Sequence, residues 1–263
     1  MSDVVVCLSG GLDSTLLATM ALNEGRLSAC ISYRYGQPHL EPEIEAARLW
    51  CRNNKVERLL VNLDAAGSAM AVGSGVPGPR VVPGRNLAML AHAVQYAAAR
   101  GLKEVWYGPT LEDRDSYPDC RPEFVDAMNR TSSVYGVTVR APLINMTKRE
   151  IVAKARELGV NIEATWSCYE PRWKGFLARP CGGCDACRKR NDALLDPVAE
   201  MRRKAELAWP DATITTHCPY ALRRADGTVE EHWSAIVGHQ TFRGASELEA
   251  LTAAVNGAHM ETA

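Results

Sequence analysis

Through the first 160 positions, short continuous apolar runs alternate with stretches whose apolar residues fall at helical spacing, and this predicts a repeating strand–helix unit. Val4–Leu8 is such a run and ends in Ser9-Gly10-Gly11; Ser14–Asn23 then follows helical spacing until Gly25. That reads as strand, tight loop, helix. Leu27–Tyr33 reads as a second strand, Glu41–Cys51 as a helix with Pro42 in its first turn, and Val56–Leu63 as a third strand. Asn86–Arg100 reads as a helix stopped by Gly101, Glu104–Tyr107 as a fourth strand, and Pro122 as the opening of another helix after a polar loop. Val137–Ala141 makes a fifth strand, and Thr147 with Glu150 forms a capping box for a helix ending at Gly159. Apolar strands linked by helices imply a parallel sheet covered by helices.

The pattern lapses twice. Residues 64–84 are rich in Gly, Ala, Ser and Pro without periodicity, which predicts a mobile loop on the face where the strands end. From Thr165 onward come a cysteine-bearing segment, a basic helix around Arg188–Lys204, and a tail with a hairpin turn at Asp226-Gly227. The alternation over Thr228–Ile236 predicts an edge hairpin strand. The expected organisation is an α/β domain over 1–164, a cysteine-bearing and helical segment over 165–204, and a C-terminal extension over 205–263 whose role the pattern does not assign.

Composition sharpens this in a few places. With 263 residues, 46% of them hydrophobic, the chain can bury a sizeable core, and a formal charge of -1 gives no global attraction to nucleic acid or membrane. The N-terminus lacks a basic region and a long apolar run, so a cytoplasmic protein without a membrane partner is expected. Of nine cysteines, Cys168, Cys181, Cys184 and Cys187 gather in one short stretch, which in a reducing compartment reads as metal ligation.

A Gly-Gly turn between a buried strand and a helix lets backbone N–H groups approach phosphate oxygens, and the helix N-terminus adds a favourable dipole. Ser9, Ser14 and Thr15 add hydroxyls. No Gly-Lys-Ser/Thr follows, so this is not the lysine-bearing phosphate loop of other nucleotide enzymes. SGGLDST at 9–15 instead resembles the PP-loop of ATP pyrophosphatases. That resemblance implies a Rossmann-like parallel sheet of the adenine nucleotide alpha hydrolase type and cleavage between the α and β phosphates. AMP would pass to a substrate oxygen, with Asp13 helping to hold Mg²⁺.

Four thiolates, three at CxxCxxC spacing and one delivered by an interval of twelve residues, suit a closed tetrahedral Zn²⁺ site with a structural role. An iron–sulfur cluster, or a redox pair of Cys184 and Cys187 alone, stays open on spacing. Residues 172–204 carry nine Lys or Arg against four Asp or Glu, either a solvated helix face or a phosphate-tracking patch. His217, Cys218, His232 and His239 match no common ligand spacing and are not expected to form a second metal site.

Several further strings stand beside SGGLDST: YGQ at 35–37 with His39, VPGRN at 82–86, SYPDCRPEF at 116–124, PLINMTKREI at 142–151, TWSCY at 165–169 and CGGCDACRKR at 181–190. Together they make residues 4–195 resemble the 7-cyano-7-deazaguanine synthase, or QueC, family. The resemblance implies an ATP-dependent ligase that turns 7-carboxy-7-deazaguanine and ammonia into the nitrile preQ0 through an amide, and it suggests a homodimer. It implies ATP binding by Leu8, Ser9, Gly10, Gly11, Leu12, Asp13, Ser14, Thr15, Leu16, Leu17 and Ala18, with Ser9, Asp13, Ser14 and Lys148 in the chemistry. Lys148 is either a charge beside the phosphates or a surface lysine at a helix start. Arg85, Asp119 and Arg121 lie in polar segments and are candidates for the purine-like base or its carboxylate. Arg121 could instead tie a loop to a helix end, and Asp119 could cap a helix. The interval between Cys168 and Cys181, with Trp173, Lys174 and Phe176, and the long tail depart from the family pattern. They leave two other functions open: a relative that modifies a macromolecule, protein or tRNA, and a zinc-containing module that senses nucleotide without turning it over.

Overall fold

In a computed structural model, residues 2–63, 83–195, 197–209, 213–223, 229–237, 240–244 and 246–261 are described. The loop expected over 64–84 therefore lies almost wholly outside the described residues, as do the turn at Asp226-Gly227 and His239. The chain divides into two compact units, Met1–Ala193 and Leu194–Ala263.

In the first unit, β1 (Val4–Cys7), β2 (Leu27–Arg34), β3 (Glu57–Asn62), β4 (Glu104–Trp106) and β5 (Thr138–Arg140) form one sheet in the order β3-β2-β1-β4-β5. All four pairings are parallel. Helices α1 (Leu12–Asn23), α2 (Leu40–Asn54), α3 (Arg85–Ala99), α4 (Pro122–Ser132) and α5 (Lys148–Glu157) connect or cover the strands. The sequence places these elements within about three residues, because the central apolar runs are strands buried on both faces: Val4, Val5, Val6, Ala29, Cys30, Ile31 and Val105 have no exposed surface, while the edge strand β3 is mostly exposed. α1 has apolar residues all round, with Leu16, Leu17, Ala18 and Ala21 fully buried.

The strand order reverses between β1 and β4, and loops leaving the carboxyl ends of two strands diverge there to open a crevice. Ser9–Gly11 leaves β1 on one side of it and Gly108–Pro109 leaves β4 on the other.

The interval after Cys168 is a hairpin of β6 (Arg172–Lys174) and β7 (Leu177–Arg179), turning at Gly175 with φ 61°. Its antiparallel return brings Cys181 back to Cys168. The expected single basic helix over Arg188–Lys204 is two helices, α6 (Asp185–Leu194) and α7 (Pro197–Ala208). Pro197 explains the break: proline offers no N–H to the preceding turn and disfavours helical backbone in the residue before it.

The second unit contains α7, the strands β8 (Ile214–Arg223), β9 (Val229–Val237) and β10 (Gln240–Gly244), and α8 (Glu247–Glu261). β9 stands in the middle of an antiparallel sheet, order β10-β9-β8, rather than at an edge. Ala205, Ala235, Val237, Ala250, Leu251 and Ala254 form its core, closed by the Trp209 indole N–H donating to the Ala254 carbonyl at 3.0 Å. No described helix is long and apolar enough to cross a membrane.

Candidate active site

Ser9 Oγ and Ser14 Oγ lie 3.0 Å apart. The Gly11 N–H donates to Ser9 Oγ at 3.2 Å, and the Ser14 hydroxyl donates to the Gly11 carbonyl at 3.1 Å. These bonds fold the loop into a tight turn at the start of α1, whose first N–H groups have no intrahelical acceptor. Gly10 is required twice. Its φ is 94°, and a Cβ there would stand 2.3 Å from the Glu43 carbonyl oxygen. The close approach of α2 over the loop is thus possible only without a side chain. From the other side, the Trp166 N–H donates to the Gly10 carbonyl at 2.9 Å.

Thr147 and Glu150 form the expected capping box, with Thr147 N–H and Oγ1 at 2.7 and 2.8 Å from Glu150 Oε2. The cap starts α5 so that Lys148 Nζ reaches Asp13 Oδ2 at 2.5 Å, and the Lys148 N–H donates to Glu112 Oε1 at 2.8 Å. Lys148 is therefore a residue of the crevice and not a surface lysine. Burial pushes the Asp13 carboxyl up, a shift that Lys148 only partly offsets. Burial also pulls the Lys148 ammonium down, but Asp13, Asp113 and Glu112 raise it by more. Asp13 Oδ1 is buried with no hydrogen-bond partner among the described residues. An acceptor oxygen left bare beside a phosphate loop suits a divalent cation.

Two lobes continue into one another from this point. One, about 250 Å³, extends past Ser32, Tyr33 and Tyr35 to Arg85 and Met89; the other, about 150 Å³, extends to Trp166, Ser167, Lys189 and Arg190. Leu8, Ser9, Gly11, Leu12, Asp13, Ser14, Lys148 and Arg85 line them. Gly10, Thr15, Leu16, Leu17 and Ala18 do not; Leu16, Leu17 and Ala18 face the core and anchor α1. Arg85 sits over the Tyr35 ring at 5.6 Å and donates to its hydroxyl at 3.3 Å. Burial works against the Arg85 charge, but Tyr35, Tyr169, Asp119 and Glu43 raise its pKa overall. Asp119 caps α3 instead of lining the lobes, accepting from the Asn86 N–H at 3.3 Å. Arg121 is exposed and donates to the Arg114 carbonyl at 2.9 Å.

Sequence reasoning missed Glu43, Asp113, Tyr117, Trp166, Lys189 and Arg190, all of which line the crevice. Glu43 had a readable signal: it follows His39 by one helical turn, and its carboxylate lies 3.6 Å from His39 Nε2. Burial pushes Glu43 up to about 8 despite Gln37 and Arg85.

The Sγ atoms of Cys168, Cys181, Cys184 and Cys187 lie within 4.8 Å of one another. Cys181–Cys187 and Cys184–Cys168 stand at 3.9 and 4.0 Å. A tetrahedral ion with ~2.3 Å bonds to sulfur needs separations of roughly 3.8 Å, so the donor set fits a metal ion. Backbone N–H groups of Glu170 and Cys181 donate to Cys168 Sγ, and that of Cys184 to Cys181 Sγ, at 3.2–3.3 Å. Such donors favour thiolates. α6 begins at this cluster and carries Lys189 and Arg190 into the smaller lobe, where Arg190 also donates to Ser167 Oγ at 3.0 Å.

A family model described as "Queuosine biosynthesis protein QueC" matches residues 3–197, which is essentially the first unit. The 7-cyano-7-deazaguanine synthase of Rhodopirellula baltica is 36% identical over 211 residues, covering 71% of this chain and 84% of its own. That of Thiobacillus denitrificans is 38% identical over 211 residues, covering 73% and 92%. That of Archaeoglobus fulgidus is 37% identical over 228 residues, covering 79% and 92%.

Proposed function

The chain belongs to the QueC family, and from that premise we propose that it is a cytoplasmic ligase making 7-cyano-7-deazaguanine from 7-carboxy-7-deazaguanine, ammonia and ATP. The observation that carries this reading is the placement of Ser9–Thr15 at the sheet's switch point, where its Asp13 pairs with Lys148 at 2.5 Å and the crevice opens into a lobe of about 250 Å³.

A carboxylate is a poor acyl electrophile. Transfer of AMP to its oxygen, with release of pyrophosphate, makes that oxygen a leaving group that ammonia displaces. The amide oxygen is then activated in the same way, and loss of AMP leaves the nitrile. The loop N–H groups and the Ser9 and Ser14 hydroxyls hold the phosphates, and the Lys148 ammonium stabilises charge that builds as the α–β bond breaks. Asp13 Oδ1 would hold Mg²⁺, which supplies neutralisation of phosphate charge. Arg85, at the far lobe, is the cation available to the substrate's carboxylate or purine oxygen. Cys168, Cys181, Cys184 and Cys187 would hold one Zn²⁺ with no open position, so this site pins the segment and α6 rather than performing chemistry.

Incubation with ATP, Mg²⁺, 7-carboxy-7-deazaguanine and an ammonium salt is expected to give the amide and then the nitrile by mass, with AMP and pyrophosphate. Absence of both products would overturn the reading.

A further inference from the structure

Adenylating a carboxylate moves no proton, but every later step does. When ammonia attacks the acyl adenylate, the C–N bond forms, the C–O bond to AMP breaks with its electron pair leaving on AMP, and nitrogen must lose one proton to become the amide. In the second half, nitrogen loses one proton as the amide oxygen takes AMP and another as the C–O bond breaks to the nitrile. A proton acceptor beside the phosphate loop is therefore required by the balance of atoms.

Three carboxylates line both lobes of the crevice: Asp13, Asp113 and Glu43. Asp13 is held by Lys148 at 2.5 Å. Asp113 Oδ2 accepts from the Thr110 N–H and hydroxyl at 3.0 and 2.7 Å, closing a capping box. Glu43 is bound only loosely by comparison, with Gln37 Nε2 at 3.4 Å and His39 Nε2 at 3.6 Å. Its helix runs so close to the loop that its carbonyl would clash with any Cβ at Gly10. Its side chain, largely buried, lines both lobes together with Ser9, Gly11 and Asp13 of the loop.

We propose that the Glu43 carboxylate accepts the protons that nitrogen loses in amide and nitrile formation, handing each to water before the next; this role rests on the synthase reading. Charged and titratable groups facing it are His39 from its own helix start, Tyr35 from the loop after β2, Arg85 from α3, and Tyr169 from the cysteine segment. Burial pushes Glu43 up to about 8, which suits an acceptor that must take and release protons near neutral pH.

The test compares wild type with Glu43→Gln and Glu43→Asp in two assays. One is exchange of labelled pyrophosphate into ATP in the presence of 7-carboxy-7-deazaguanine without ammonia. The other is amide and nitrile formation at fixed free ammonia across pH 6–9. The expected result is exchange within a few-fold of wild type and product formation lowered about 10²–10⁴-fold in Glu43→Gln. The rising limb near pH 8 should vanish with it, and Glu43→Asp should recover part of the rate. Equal loss of exchange and product formation would overturn the proposal in favour of a packing role, and unchanged product formation would overturn it outright. A wild type that exchanges nothing and makes no product would instead overturn the synthase reading, and this role with it.

Discussion

The phosphate loop and the cysteine segment meet at the Trp166–Gly10 hydrogen bond, yet they are held in place by different means. Ser9–Thr15 is clamped between a strand and a helix whose Val4, Val5, Val6, Leu16 and Leu17 have no exposed surface. Between Tyr169 and Pro180, by contrast, nearly every residue is exposed, including Trp173, Phe176 and Leu177. Burial on that scale supports the loop without outside help, whereas the hairpin and the start of α6 bury too little apolar surface to offset their ordering entropy. Their order depends on the four sulfurs. One wall of the crevice is thus built by the hydrophobic effect, and on the proposed metal reading the other is built by ligand bonds.

The largest test of that difference is removal of the metal, by Cys184→Ser or by chelation. Structural zinc contributes on the order of 10 kcal/mol in isolated fingers, so activity should fall below about 1% and proteases should cut between residues 169 and 184. The parallel sheet should still melt cooperatively. Collapse of the sheet together with the segment would break the comparison.

Next in size is Lys148→Ala against Lys189→Ala, one cation on each wall. Lys148 touches Asp13, so its loss should lower kcat/KM about 10²–10³-fold, the scale for one donor aimed at developing charge. Lys189 lines only the smaller lobe, and its loss should cost about tenfold or less. Steady-state kinetics decides, and the reverse order would move the chemistry toward α6.

Two glycines sharpen the contrast in stability. Gly10→Ala combines a φ of 94° with a 2.3 Å clash against backbone and should destabilise by about 2–4 kcal/mol. Gly183 has open space at its Cβ position and no positive φ, so Gly183→Ala should stay within about 0.5 kcal/mol. Denaturant melts of both variants measure this.

A last contrast concerns pH. Glu43 ionises at 4.5 in the unfolded chain and at about 8 in the folded one. Between these values the folded state binds more protons, so this group makes stability fall as pH rises from 4.5 to 8 and level off beyond. Glu43→Gln should therefore raise Tm over wild type at pH 8 and have almost no effect near pH 4. A variant less stable than wild type at pH 8 would contradict the assigned burial cost.

How far the sequence foretells each wall follows from what determines it. The loop is legible because a strand, two glycines and a helix cap dictate its local geometry, and the Thr147–Glu150 box is legible for the same reason. The spacing of Glu43 from His39 is legible too, but its burial is not, since that comes with α2 crossing over Gly10, a contact between segments more than thirty positions apart. Arg121 and Asp119 share one polar string, but only the fold shows that one faces solvent and the other caps α3. In the second unit, the alternation of Thr228–Ile236 announces a strand, while the helices packing on the sheet do so through Ala205, Ala250 and Ala254, side chains too small to mark a period clearly.

In the proposed reaction the Ser9–Thr15 loop directs AMP onto the substrate's own oxygen. This transfer is tested most directly with 7-carboxy-7-deazaguanine carrying ¹⁸O in both carboxylate positions, by mass analysis of the AMP released during conversion to nitrile. Each AMP is expected to carry one ¹⁸O, the first taken at the carboxylate step and the second at the amide step; unlabelled AMP, with ¹⁸O in phosphate or water instead, would contradict this transfer.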